Sequence, residues 1–326
     1  MRILIFGAGS TGCYIGAQCL SAGLSVDFLC RESVKKELQA NEGIEITDYS
    51  GNVSKAPLPR MHTTLSNHRY DLCLVTLKCH HLSNATPELE KLLEEGCELH
   101  FMQNGLYAYH NIPALKESRL CQSGITPFNV VSLGQGRFHQ GTEGVLQLQQ
   151  TIKSRQLHRQ MHNTGLEIEL LEDIKPIVFG KLLLNLNNAI NAISNRTLKE
   201  QLENRNLRKV LAAAMREYLN VCSHLEQEIE ITSPVPPKYL PNILELPTWL
   251  FRIVAKKMLT IDPQARSSMW EDIQEGKKTE IDFLNGKVVQ LAKEARIPCP
   301  VNEQIVTLIK QLELGEPVTE SSLSLM

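Results

Sequence analysis

Six residues near the start of the chain restrict its fold more than any other feature: Gly7-Ala8-Gly9-Ser10-Thr11-Gly12. They follow an apolar run, Arg2-Ile3-Leu4-Ile5-Phe6, and open a helical pattern over residues 11–22 that Gly23 ends as a C-cap. A G-x-G-x-x-G set between a strand and a helix is the turn of a βαβ unit. Gly7 permits the tight turn, Gly9 lets the backbone approach a pyrophosphate, and Gly12 lets helix and strand pack closely. The N–H groups of the loop, Ala8, Ser10 and Thr11 included, lie at a helix N-terminus, where the dipole favours an anion.

The remaining first half repeats this alternation. Strands are expected at residues 2–6, 25–30, 71–77, 98–102 and 120–125, with helical segments between several of them, which means a parallel sheet covered by helices. Past about residue 130 glycines recur at Gly134, Gly136, Gly141 and Gly144, the texture of antiparallel strands finishing a domain. From Lys175-Pro176 onward helical periodicity dominates, with long amphipathic candidates at 177–193, 198–226 and 279–295. The stretch 233–247 holds five prolines and reads as a loop or a string of broken turns. The expected architecture is α/β: an N-terminal Rossmann-type parallel-sheet domain (residues 1–173) followed by an all-helical domain (174–326). A chain of 326 residues is long enough for two such cores.

The formal net charge of −2 argues against a general binder of nucleic acid or acidic membrane. No apolar stretch approaches a membrane span, and the four apolar residues before Gly7 are too few for a signal-peptide core. The nine cysteines are scattered without a C-x-x-C pair, as expected of free thiols in a reducing, cytoplasmic setting. His80-His81 reads as a surface pair whose side chains point apart, so no metal is expected.

Ligands of open α/β sheets bind at the carboxyl ends of the strands. An NAD site places Asp or Glu at the end of the second strand, whereas here Ser25-Val26-Asp27-Phe28-Leu29-Cys30 ends in Arg31. A guanidinium there suits a 2′-phosphate, so the expected cofactor is NADP(H). Lys78 and Asn104, at the ends of the next two strands, fall on the same rim as Arg31.

In the helical half Lys181, Asn185 and Asn188 recur at i, i+4 and i+7, one face of an otherwise apolar helix. Such groups are costly to bury without partners, and a substrate carrying a carboxylate and a carbonyl would satisfy them. On spacing alone Ser268 reads as a helix N-cap and Glu280 as a first-turn carboxylate.

The most specific block is S-S-M-x-x-D-I…K-T-E-I-D-x-L-N-G over residues 267–286, followed by Ile297-Pro298-x-Pro300. Together with the glycine loop, Arg31, Lys78, Gln103-Asn104-Gly105 and Lys181 with its asparagines, it resembles the ketopantoate reductase family (2-dehydropantoate 2-reductases) over nearly the whole chain. The resemblance implies a Rossmann domain joined to a helical domain with catalysis in the cleft between, and it overrides the capping reading of Ser268 and Glu280. Lys181 is then the general acid; Asn185, Asn188 and Ser268 hold the substrate; Glu280 sits by the nicotinamide ribose and a substrate hydroxyl. Lys78, Asn104 and the backbone at Val130 are expected to contact NADPH.

The implied activity is reduction of 2-dehydropantoate to pantoate, on the way to pantothenate and coenzyme A. Reduction of a different small 2-oxo acid, or non-catalytic sensing of NADPH, stand as alternatives, and a homodimer is compatible with the resemblance. The sequence departs from the family pattern in places. Asn185 and Asn188 are three apart where four is expected, a later substrate asparagine has only Asn191 or Asn195 as candidates, and residues 233–247 are an expansion.

Overall fold

β1 (Arg2–Phe6) runs through the middle of a large sheet in the computed structural model, which describes residues 1–65, 67–106, 108–162, 164–232, 235–256 and 264–323. The described chain divides into two compact units, one of residues 1–103 and 107–174, the other of residues 104–106 and 175–326.

The first unit holds eleven more strands. They are β2 (Ser25–Leu29), β3 (Ile44–Thr47), β4 (Val53–Ala56), β5 (Arg60–His62), β6 (Leu72–Val75), β7 (Glu98–Phe101), β8 (Cys121–Ile125), β9 (Val130–Gly134), β10 (Arg137–Gln140), β11 (Leu146–Gln149) and β12 (Ile168–Leu171). Its helices are α1 (Ser10–Ser21), α2 (Glu32–Ala40), α3 (Thr86–Glu94), α4 (Pro113–Lys116) and α5 (Ile152–Met161). The main sheet has the order β12-β11-β8-β7-β6-β1-β2-β5, parallel throughout except where β11 meets β8. Central strands buried on both faces explain the unbroken apolar runs: Ile3, Ile5, Leu72, Leu74 and Leu99 are fully buried. The nine cysteines are all buried.

A second sheet, β4-β3-β10-β9, was not expected from the sequence. Its strands are four or five residues long, too short for a period of two to stand out in the text of the chain. The glycine-rich strands past residue 130 are only partly antiparallel. β9 and β10 form an antiparallel hairpin, but β10 then pairs parallel with β3, and β11 pairs parallel with β12.

The second unit is helical: α6 (Lys175–Asn185), α7 (Asn187–Ser194), α8 (Leu198–Glu203), α9 (Arg205–His224), α10 (Leu240–Glu245), α11 (Thr248–Val254), α12 (Ser268–Gln274), α13 (Asn285–Ala295) and α14 (Pro300–Glu313). Each long helix expected here is broken by a local rule. Residues 177–193 divide at Leu186, inside a run of three asparagines with weak helix propensity. Residues 198–226 divide at Asn204, whose side chain accepts from the N–H groups of Asn206 and Leu207 and so starts α9. Residues 279–295 begin with a 3₁₀ turn, Ile281–Phe283, before α13.

The proline-rich stretch is more regular than its composition suggests. Pro237–Tyr239 is a 3₁₀ turn, and α10 tolerates Pro241 because its first turn needs no N–H donor; residues 233 and 234 lie outside the described residues. The fully buried guanidinium of Arg208 secures the far end of this stretch. It donates to the carbonyls of Leu202, Leu244 and Leu246 and stacks 4.2 Å from the Phe251 ring.

Candidate active site

The glycine loop has the shape its chemistry requires. Gly7 adopts φ +100°, and a Cβ there would meet Leu77 Cδ2 at 2.7 Å, so only glycine fits. At Gly12 a Cβ would lie 2.5 Å from Thr76 Oγ1, whose hydroxyl itself donates to the Gly7 carbonyl at 2.6 Å. Gly9 differs: it is exposed, and a Cβ built on it meets nothing within 4 Å. It is also the N-cap of α1 and offers no side-chain acceptor to the first turn, which carries no acidic residue. An open backbone approach over an uncapped helix N-terminus fits a phosphate group.

Arg31 and Lys78 flank this loop, since β2 and β6 are the two neighbours of β1 in the sheet. Arg31 is exposed at the start of α2, and its Nη2 lies 3.2 Å from His81 Nε2. Lys78 is half-buried and precedes the 3₁₀ turn Cys79–His81. That turn corrects the expectation for His80 and His81. Adjacent side chains diverge on a strand, but in the tight turn the two rings pack with centroids 4.2 Å apart, both half-buried. Val130 is buried at the start of β9 and pairs with Gln140.

Asn104 leaves the strand it follows. Gln103 stays with the sheet, its amide donating to the Val75 carbonyl at 2.8 Å, whereas residues 104–106 belong to the helical unit. Gly105 makes this possible: at φ +85° a Cβ would lie 2.3 Å from the Phe283 carbonyl oxygen. The Asn104 amide donates to Glu280 Oε2 at 3.3 Å, and the Asn185 amide reaches Asn104 Oδ1 at 3.5 Å, a long contact in the same direction. Lys78 and Asn104, expected on one rim, are therefore members of different units.

Lys181 lies one turn before Asn185 on α6 and is half-buried. Burial draws its pKa from 10.5 down to about 8, with the Glu280 charge acting in the opposite sense. Its neighbour Gly180 explains how α6 is seated. A Cβ there would fall 1.7 Å from the Glu230 carbonyl oxygen, and the Phe179 carbonyl accepts from Tyr218 Oη at 3.0 Å. An isolated glycine inside a helix pattern is a signal that could have found this close approach, which was not expected from the sequence.

Asn188 sits on α7 beyond the break, half-buried, rather than on a continuous face with Lys181 and Asn185. The N-cap of α12 is Ser267, which accepts from Trp270 N and donates to the Asn188 carbonyl at 3.0 Å. Ser268 is thereby left exposed next to α7, with the capping role taken by its neighbour. Asn191 is committed to structure: fully buried, it bonds Arg196, Gln201 and Ser267 N. Asn195 caps α7 at φ +51° and accepts from the Trp270 indole at 2.7 Å. The site is thus a chain of side chains, Asn185, Asn104, Glu280 and Lys181, brought together from three distant parts of the sequence.

Comparison with known proteins gives a family match in both halves of the chain. The family model "Ketopantoate reductase PanE/ApbA" matches residues 3–152, and its C-terminal counterpart matches residues 173–313. The chain belongs to the ketopantoate reductase family. Relatives of this oxidoreductase align over most of its length. A 2-dehydropantoate 2-reductase of Archaeoglobus fulgidus is 26% identical over 96% of this chain and 98% of its own. Among solved structures, a ketopantoate reductase from Ralstonia eutropha JMP134 superposes with a TM-score of 0.77 at 22% identity, covering 97% and 99% of the two chains. A D-mandelate dehydrogenase solved with NADH and anilino(oxo)acetate gives 0.79 at 19% identity over 97% and 99%. No helix among the described residues is long and apolar enough to cross a membrane.

Proposed function

We propose that this protein is an NADPH-dependent reductase of a small 2-oxo acid, with 2-dehydropantoate as the substrate and pantoate as the product. The observation that carries the reading is the cluster itself: a half-buried lysine with a lowered pKa, opposed by Glu280, beside two asparagines bonded in series. The relatives named as 2-dehydropantoate 2-reductases over almost the full chain support the substrate class.

A nicotinamide, when bound, would supply the hydride for reduction of the ketone. The glycine loop would hold its pyrophosphate at the N-terminus of α1, and Arg31 would meet the 2′-phosphate that separates NADPH from NADH. Lys78 adds a second cation at that rim. Lys181 Nζ carries a proton at neutral pH and, with a pKa near 8, gives it up more readily than an ordinary lysine. It faces the carbonyl oxygen, where its charge stabilises the developing oxyanion before the proton moves. Asn185, Asn188 and Ser268 orient the acid, and Glu280 receives a substrate hydroxyl or the cofactor ribose while keeping Lys181 from losing its proton too early.

The test is turnover. Purified protein with NADPH and a panel of 2-oxo acids is followed by loss of the reduced nicotinamide absorbance. Lys181→Ala is expected to lower kcat by about a hundredfold or more while the dissociation constant for NADPH changes little. A folded Lys181→Ala variant with near-normal turnover overturns the assignment. A second reading, a different 2-oxo acid, is favoured by the break at Leu186, which moves Asn188 off the helix that carries Lys181. A panel in which another acid gives the higher kcat/KM selects it.

A further inference from the structure

Glu280 is one residue from a side chain held unusually firmly. Thr279 is 1% exposed, and both its backbone N–H and its hydroxyl donate to the same atom, Glu313 Oε1, at 2.8 and 2.7 Å. The hydroxyl in turn accepts from Ile281 N at 3.2 Å, so the backbone on both sides of Glu280 is tied to one carboxylate oxygen. Glu313 closes α14, 33 residues along the chain from Glu280, and is itself held from the other side. Lys310 Nζ lies 3.2 Å from Glu313 Oε2 and 2.7 Å from Asp282 Oδ2. One cation thus bridges the anchor to the turn that follows Glu280.

We infer that Glu313 is the positioning residue of Glu280: by fixing Thr279 and Ile281 it aims the Glu280 carboxylate at Asn104 and Lys181. The inference rests on the reading of Lys181 and Glu280 given above. Glu313 itself bonds Thr279 and Lys310 and acts only through the turn. Burial by itself would raise the Glu313 pKa, yet the Thr279 bonds and the Lys310 charge outweigh it and leave the pKa lowered, so the anchor is ionised at neutral pH.

The geometry makes the role separable from simple stability. If the turn relaxes, Glu280 moves and its charge no longer raises the Lys181 pKa. The charged groups that face this region are Glu280 toward Lys181, and Lys310 with Asp282 around Glu313. Losing the anchor therefore shifts the basic limb of the kcat/KM profile, where Lys181 loses its proton, to lower pH.

Glu313→Ala, Glu313→Gln and Thr279→Val are compared with the parent and with Glu280→Gln, each in the full chain. Glu313→Ala is expected to lower kcat/KM by about tenfold or more through misplacement, and to move the basic limb down by about half a pH unit. Glu313→Gln keeps an acceptor for Thr279 and is expected to restore most of both. Thr279→Val removes one of the two bonds and serves if Glu313→Ala does not fold; its limb is expected to move the same way by less. A Glu313→Ala or Thr279→Val profile with an unmoved limb, while Glu280→Gln does move it, overturns the positioning role alone. An unmoved limb and unchanged activity in Glu280→Gln overturns the reading of the site instead.

Discussion

A half-buried lysine that serves chemistry should weaken the fold that holds it, and Lys181→Met measures by how much. The fall of the Lys181 pKa from 10.5 to about 8 corresponds to about 3 kcal/mol against the ammonium form in the folded chain. Below pH 8 both the folded and unfolded chains carry the proton, and the folded state bears that penalty in full. Between pH 8 and 10.5 the unfolded chain binds more protons than the folded one, so stability rises with pH; above 10.5 the penalty has vanished. Methionine keeps most of the aliphatic volume and no charge, so Lys181→Met should be the more stable protein at pH 7. Part of the gain is returned because Glu280 loses its opposing charge, which sets the expected difference at about 1–2 kcal/mol. For a domain of this size that is about 2–8 °C in Tm. Melting curves of parent and variant at pH 7 and at about pH 10 read the effect, and the gap should narrow at the higher pH as the parent recovers. A variant that melts at or below the parent at pH 7, or a gap that is the same at both pH values, refutes the claim that Lys181 is held against its own solvation.

Two other substitutions test how the site is assembled. Gly180→Ala would stabilise an ordinary helix by up to about 1 kcal/mol, but here the new methyl meets the Glu230 carbonyl, so the overpacking cost of about 1–3 kcal/mol prevails. A lower Tm and a turnover reduced about tenfold or more, with NADPH affinity retained, are expected; unchanged kinetics would mean that the seating of α6 does not set the position of Lys181. Arg31 is expected to give NADPH at least about a tenfold advantage over NADH in dissociation constant, the equivalent of about 1.5–3 kcal/mol for a charge-assisted contact. Arg31→Ala should narrow that gap mainly by weakening NADPH, and equal calorimetric constants in the parent would sink the preference.

How far the sequence could be read depended on whether a signal was local. The glycine loop, β1, α1 and the central strands β2, β6, β7 and β8 were legible because each rests on consecutive residues with one reading: a turn that needs glycine, an apolar run of strand length, a C-cap at Gly23. The sheet β4-β3-β10-β9 was not legible, since the pairing of β3 with β10 that joins its two local pairs links residues about ninety positions apart, and nothing in 44–47 announces a partner at 137–139. Helix ends were misjudged where an asparagine could serve either as an interior residue or as a cap, as at Asn204 and in the run before Asn188. Asn104 shows the same limit at the site. Its place at a strand end marks a loop residue, but the sequence has no means of saying which unit claims it. That is decided by Gly105, whose positive φ and missing side chain let the backbone lie against Phe283, and by Glu280, which accepts the amide. A motif can therefore name the residues of a site and leave their grouping open. Here the grouping makes Asn104 part of the same hydrogen-bonded series as Asn185 and Glu280, so a substitution at Asn104 should disturb the proton-donating side of the reaction as well as the binding of cofactor.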